Sequence, residues 1–318
     1  DLHSFPTRRS SDLYSSRTAD AYDRATVAAA SGTDVQVRGK AGGAAAFGRI
    51  PSGDAMGSAA IGWRTLLAPS LARVTGDPEP SIGTADMTVI GRHPQERMLA
   101  LSWSPEASRR IRIVAGGPAL PWGAARAGEF GVVISKAYAD ALGYRPGDRI
   151  GLADKHEPGT VQVRVAGVYV PLDAADPYWE PHPSMIRRQQ VAIDRDGTKA
   201  EMGTALMGED GYAAITRTSN RMLTFGWRFP VRADRVDARA ADAVAAELDA
   251  YRSAVAGRDD IFPCTVTTVL DTRLGGYLGR LHAARSVLGL VFGGLVGVAA
   301  GVLLLAAGLF GEIGRAHV

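Results

Sequence analysis

One cysteine, Cys264, stands in 318 residues, so no internal disulfide framework can hold this chain together. Its apolar setting, IFPCTVTTV, suits a small core filler better than a nucleophile. Phosphate chemistry lacks its cradle: no G-x-x-x-x-G-K-[ST] occurs, and Gly39-Lys40 misses the leading glycine because position 34 is Asp. G-x-S-x-G, H-E-x-x-H and paired C-x-x-C are absent too, and His93, His156, His182 and His282 are scattered. No metal site, no cofactor and no catalytic residue is therefore expected. Blocks of like charge are also missing. The 36 Lys and Arg interleave with 33 Asp and Glu for a net charge of +3, which argues against nucleic acid and against a polybasic membrane patch.

What polar residues there are have local explanations. Ser135 precedes an apolar helical pattern, so capping accounts for it without a catalytic base. Asp173 and Asp176 fall before Pro177, where Asx-turn chemistry outweighs paired-carboxylate catalysis. Tyr178 and Trp179 either line a ligand pocket or pack beneath a loop, and the sequence ranks neither first. A tethered hydrolase would need Asp173, His182 and Ser135 to converge in one cleft.

The two ends read as foreign. Asp1–Leu13, DLHSFPTRRSSDL, looks like the translation of a short-read sequencing adapter, and residues 313–318, IGRAHV, look like its opposite partner. The natural segment is then expected to be Tyr14–Glu312, cut at both ends.

The chain between them has mixed periodicity. Tyr14–Ala30 reads as a helix, Asp34–Arg38 as a strand, Lys40–Gly57 as a loop and Trp63–Val74 as a helix. Strands are predicted at Ala85–Ile90, Met98–Trp103 and Arg110–Val114. GVVISKAYADALGYRPGDRIGL then reads strand, capped helix, turn, strand, with Gly143 at a left-handed helix end and Pro146-Gly147 in the turn. Thr160–Tyr169 alternates as a strand, and short strands are predicted at Gln190–Asp194, Ala213–Thr216 and Leu223–Val231. The helix after Asp237 repeats Ala240, Val244, Leu248, Tyr251 and Val255 at steps of three and four and stops at Gly257. Thr265–Leu270 is a short apolar run.

Beyond it, Ser286–Phe310 contains no charged residue, His, Asn, Gln or Pro. About 20 apolar residues cross a bilayer as a helix, so this run is expected to be a transmembrane helix with the lipid bilayer as its partner. Gly289, Gly293, Gly297 and Gly301 recur every four residues and would form a close helix–helix seam.

The phrase Val132–Ile150, the strand Val163–Tyr169, the stretch DAADPYW at 173–179, LTFGWRFPV at 223–231 and the following helix together resemble the extracytoplasmic core of FtsX-like ABC-transporter permeases, including the MacB type. The likeness covers most of Gly131–Phe310 and lies in the order of elements. It implies an α+β fold: a mixed extracytoplasmic domain over residues 14–272 with a small β-rich lobe at about 131–172, then a stalk and one transmembrane helix over 273–312 with the span at 286–310. It implies a permease subunit at the cell membrane that is not itself an enzyme. A separate cytoplasmic ABC ATPase would act in trans, and the permease would pair as a homodimer or with a second permease. Arg273, Arg280 and Arg285 pull the other way, since the positive-inside rule would put their side of the run in the cytoplasm. The competing expectation is a single-span, membrane-anchored sensor or binding module.

Overall fold

The computed structural model describes residues 21, 34–42, 53–91, 96–118, 129–154, 160–192, 198–218, 222–236, 240–258, 263–275, 286, 290–291 and 293–305. Twelve strands form one sheet: β1 (Val35–Gly42), β2 (Glu79–Thr84), β3 (Met87–Val89), β4 (Glu96–Trp103), β5 (Ile111–Gly116), β6 (Glu129–Ser135), β7 (Arg149–Ala153), β8 (Thr160–Pro171), β9 (Gln189–Ala192), β10 (Lys199–Met207), β11 (Met222–Phe229) and β12 (Cys264–Thr267). The helices that pack on it are α1 (Gly53–Thr65), α2 (Pro69–Val74), α3 (Pro105–Arg109), α4 (Lys136–Leu142), α5 (Glu209–Thr218) and α6 (Ala241–Ala256).

The sheet closes on itself. Running β4-β3-β7-β8-β6-β10 and back to β4, the ladders complete a six-stranded barrel. Two of its pairs, β10 with β4 and β6 with β8, are parallel, and the other four are antiparallel. Closure leaves no open edge around the ring, and the inward positions fill with aliphatic side chains. Leu99, Val132, Ile134, Ile150, Leu152, Val163 and Val165 are all buried there. The remaining strands continue from β4 as an open antiparallel wing, β2-β11-β1-β12.

Local chemistry explains the best-defined turn of the barrel. The Ser135 hydroxyl accepts the Tyr138 N–H at the start of α4, and Gly143 ends that helix with φ of 74°. Gly147, at φ 101°, then turns the chain into β7. Tyr138 lies across the barrel strand β10, where a Cβ on Gly203 would sit 2.4 Å from its ring. A register shift opposite Val132 and Val133 changes the parity of β8. Val163 and Val165 point into the main core before it, while Tyr169 beyond it belongs to a second cluster on the outer surface with Val133, Trp179 and Leu206. Gly167 permits the crowding at this shift, since a Cβ there would lie 2.0 Å from the Gly117 carbonyl oxygen.

The wing is stabilised differently. Its strands carry Phe225, Trp227 and Phe229, all fully buried against Met56 and Trp63 of α1 and Leu248 and Tyr251 of α6. The Trp227 indole N–H donates to the Met56 carbonyl at 3.0 Å, and its ring tilts against Trp63 with centroids 5.6 Å apart.

Several sequence expectations are corrected. The small β-rich lobe at 131–172 is one part of the barrel, whose strands come from residues 87–207. β10 was not predicted at all, because both of its faces are buried and KAEMGTALM shows no alternation. Ala213–Thr216, predicted as a strand, lies in α5. The predicted helix Trp63–Val74 is two helices broken at Ala68-Pro69, and α1 begins inside the predicted loop Lys40–Gly57. The predicted helix Tyr14–Ala30 and both adapter-like ends lie outside the described residues, except for Ala21.

The expected fold class also fails at its membrane span. Among the described residues no helix is long and apolar enough to cross a membrane. Residues 293–305 are helical, as are residues 286 and 290–291. Gly293, Gly297 and Gly301 lie in this helix with nothing within 4 Å of a Cβ built on them, and Gly289 falls outside the described residues.

Candidate functional site: a charged junction between barrel and wing

β4 is where the sheet branches. Met98 and Leu99 pair with β3 inside the barrel, while Ser102 and Trp103 pair with β2 of the wing. The chain leaving β4 is fixed at once by Ser104, whose hydroxyl oxygen caps α3 by accepting the Ala107 N–H at 3.2 Å. The same hydroxyl shares a 3.0 Å hydrogen bond with the Tyr178 hydroxyl.

Tyr178 comes from the turn after β8. Asp173 accepts the Ala175 N–H and Asp176 accepts the Tyr178 N–H, the Asx-turn chemistry expected of them. Trp179 packs under the loop in the outer cluster and donates its indole N–H to the Asp173 carbonyl at 3.0 Å. Tyr178, in the same cluster, also borders the junction, its ring contacted by two guanidinium groups, Arg110 and Arg228, each 4.8 Å from the centroid.

Each arginine has carboxylate partners. Arg110 binds Asp176 at 2.5 Å and Glu106 at 2.8 Å. Arg228, on β11, binds Asp34 at 2.5 Å and Glu79 of β2 at 3.2 Å, and all three side chains are largely buried. Asp34 also accepts the Val231 N–H at 2.8 Å, so its charge is well compensated. Glu79 is not. Burial pushes its carboxyl up to about 7, against the Arg228 charge that lowers it, with Glu106 and Asp34 adding repulsion. The longer of the two Arg228 contacts falls to Glu79, so the guanidinium offsets only part of the desolvation cost. His182, near the Tyr178 ring, is pushed down to about 4 by burial and then by the Arg38 and Arg228 charges.

Glu79 stands between two cavities. On the inner side is a chamber of about 40 Å³ lined with Ser81, Ser104, Tyr178, His182, Met185 and Arg228. On the outer side a cleft of about 550 Å³ opens between barrel and wing. Its apolar surface is Trp103 with Pro78, Pro80, Pro105 and Pro230, and its polar groups are Asp54, Asp77, Glu79, Glu106, Glu209, Arg109 and Arg232. Trp103 is held in place by stacking on Tyr212 of α5, centroids 5.2 Å apart.

The other suspected residues are not drawn into this site. Ser135 is engaged as the cap of α4, as expected. Asp173 is engaged with the backbone of its own turn, so of the suspected Ser, His and Asp only His182 borders the junction. Cys264 is buried in the core. Among the described residues no group of three His, Cys, Asp or Glu is placed to hold a metal ion. Sequence reading missed Glu79, Trp103 and Arg228, which are far apart in the chain and carry no motif. The one available signal was an arginine within the otherwise apolar strand LTFGWRFPV.

No family model matches this chain, and no curated protein matches it. Among solved structures it is similar to a domain of a protein titled a permease, from Porphyromonas gingivalis, at 12% identity and a TM-score of 0.31, covering 74% of this chain and 89% of that one.

Proposed function

We propose that the chain is a domain of a permease subunit of an ABC transporter of the FtsX/MacB-like type, at the cell membrane and on its extracytoplasmic side. The observation that carries the reading is the segment Val132–Ile150. Its order of strand, serine-capped helix, left-handed glycine, turn and strand is the core phrase of the resemblance, and it forms part of the barrel wall. The subunit binds no nucleotide and works with a separate cytoplasmic ATPase.

Co-expression with an ABC ATPase encoded at the same locus, followed by affinity purification in detergent, is expected to yield a complex. A chain that purifies alone, with the ATPase left behind, overturns the reading. Placement is checked with Asp249→Cys, an exposed position, in intact cells, because Cys264 is buried and silent to an impermeant maleimide. Labelling only after lysis overturns the extracytoplasmic side. Pairing through the glycine register is checked with Gly293→Leu and Gly297→Leu. Nothing within 4 Å obstructs a side chain at either position, so loss of assembly would report a partner helix and unchanged assembly would remove the seam.

The cleft between barrel and wing favours a second reading, a binding module whose occupant is sensed rather than moved. Purification without any ATPase, together with retained ligand binding, would select it.

A further inference from the structure

We propose that the free edge of β5 is a docking site for an extended peptide segment of a partner protein, one that carries an acidic residue between two apolar ones. The proposal goes beyond the transporter reading and stands without it.

β5 is an edge strand. It pairs with β8 on one side, and among the described residues no strand lies on the other. Hydrogen-bond direction alternates along an antiparallel pair, so one bond fixes which residues face which side. The Leu172 N–H donates to the Arg110 carbonyl at 2.8 Å, which makes Arg110 and Arg112 the residues whose backbone groups bond β8. The N–H and C=O groups of Ile111 and Ile113 therefore point to the open side. A row of such groups is a template for another strand. Natural edges are blunted by Pro, by Lys or by a bulge. β5 contains neither residue, and its register shift falls after Ile113, beyond the two isoleucines.

Apolar side chains mark both ends of this edge. Leu172, beside Arg110, is 63% exposed, and Val114 is 46% exposed, so each end offers apolar surface to a partner. Between them Ile111 and Ile113 are half-buried against the outer cluster of Tyr169, Tyr178 and Trp179. Apolar residues of an added strand, set opposite the two isoleucines, would extend that cluster across the new pair.

Charge selects the occupant. Arg112 lies between the isoleucines on the other face of the strand, exposed and without a carboxylate partner among the described residues. A carboxylate directly opposite it gains a cross-strand ion pair, whereas a cation there is repelled. A second copy of this chain fails the same test. Antiparallel self-pairing that uses both isoleucines sets Arg112 directly against its own counterpart. The edge thus fits an extended segment that reads apolar, acidic, apolar, held by main-chain hydrogen bonds and selected by its side chains.

The test is fluorescence anisotropy of two labelled peptides titrated with the full chain, Thr-Thr-Val-Glu-Val-Thr-Thr and Thr-Thr-Val-Lys-Val-Thr-Thr. The acidic peptide is expected to bind with a Kd below about 1 mM, and the basic one about tenfold more weakly. Arg112→Glu, at an exposed position, is expected to reverse that preference. Ile113→Pro removes an outward N–H without touching the ladder to β8 and is expected to abolish binding of both peptides. No binding of the acidic peptide up to about 1 mM, or equal binding of the two, overturns the proposal. So does a preference that Arg112→Glu leaves unchanged. A dimer in sedimentation analysis that Ile113→Pro dissolves would assign the edge to a second copy and overturn it as well. Should Ile113→Pro fail to fold, the charge reversal in Arg112→Glu still decides.

Discussion

Barrel and wing belong to one sheet yet are stabilised in opposite ways. The barrel satisfies its backbone by closing, and its interior is mostly aliphatic, completed by Phe130 and Tyr138. Among the described residues the wing ends on β12 without a further partner strand, and it covers its inner face with helices and large aromatic rings. Where the backbone closes on itself, packing can be simple. Where the sheet stays open, side chains must do more, and an open sheet beside a closed one leaves room for a cleft at their shared strand β4.

That contrast can be broken most severely in the wing. Trp227→Ala removes the indole that joins β11 to α1 and its hydrogen bond to Met56, with an expected loss of about 3–5 kcal/mol. Urea unfolding followed by circular dichroism measures it, and a loss below about 1 kcal/mol would show that the wing relaxes more readily than its packing suggests. In the barrel the equivalent weakness is backbone crowding. Gly167→Ala drives a Cβ against the Gly117 carbonyl, with an expected cost of about 1–3 kcal/mol in the same assay. Ser135→Ala removes the cap of α4 and should cost about 1 kcal/mol, with faster amide exchange confined to α4 and the turn into β7.

At the junction the effect appears as slope. The folded state holds Glu79 protonated up to about 7, against 4.5 for an ordinary glutamate, so its contribution to stability falls as pH rises between those values. The folded state keeps His182 neutral down to about 4, against 6.5, so its contribution rises with pH between those values. The two slopes oppose each other over most of this range. Thermal unfolding of Glu79→Gln should therefore gain stability from pH 4 to pH 6.5, whereas His182→Gln should lose it from pH 4.5 to pH 7. Identical profiles in the two variants would sever the junction from both groups.

Much of the local structure was legible from residue order. The capped helix Lys136–Leu142 with its left-handed Gly143, the alternation of Val161, Val163 and Val165, and the apolar period through Val244, Leu248, Tyr251 and Val255 each obey rules that act over a few residues. β10 escaped because burial on both faces erases alternation, and α5 was misread because four apolar-leaning residues suit a buried strand as well as a helix. Ser286–Phe310 was read on composition alone as a membrane span, whereas among the described residues no helix is long and apolar enough to cross a membrane.

By itself, the sequence determined what depends on near neighbours: caps, turns, the periodic faces of strands and helices, and the absence of any disulfide or phosphate-binding motif. Only the tertiary structure decided that β4 and β10 run side by side and close a barrel, and that Arg228 and Glu79, 149 residues apart, meet at its boundary with the wing. The physical reason is that pairing between distant segments depends on the whole packing arrangement. A lone arginine in one strand and a lone glutamate in another carry no local mark of the partner each will have.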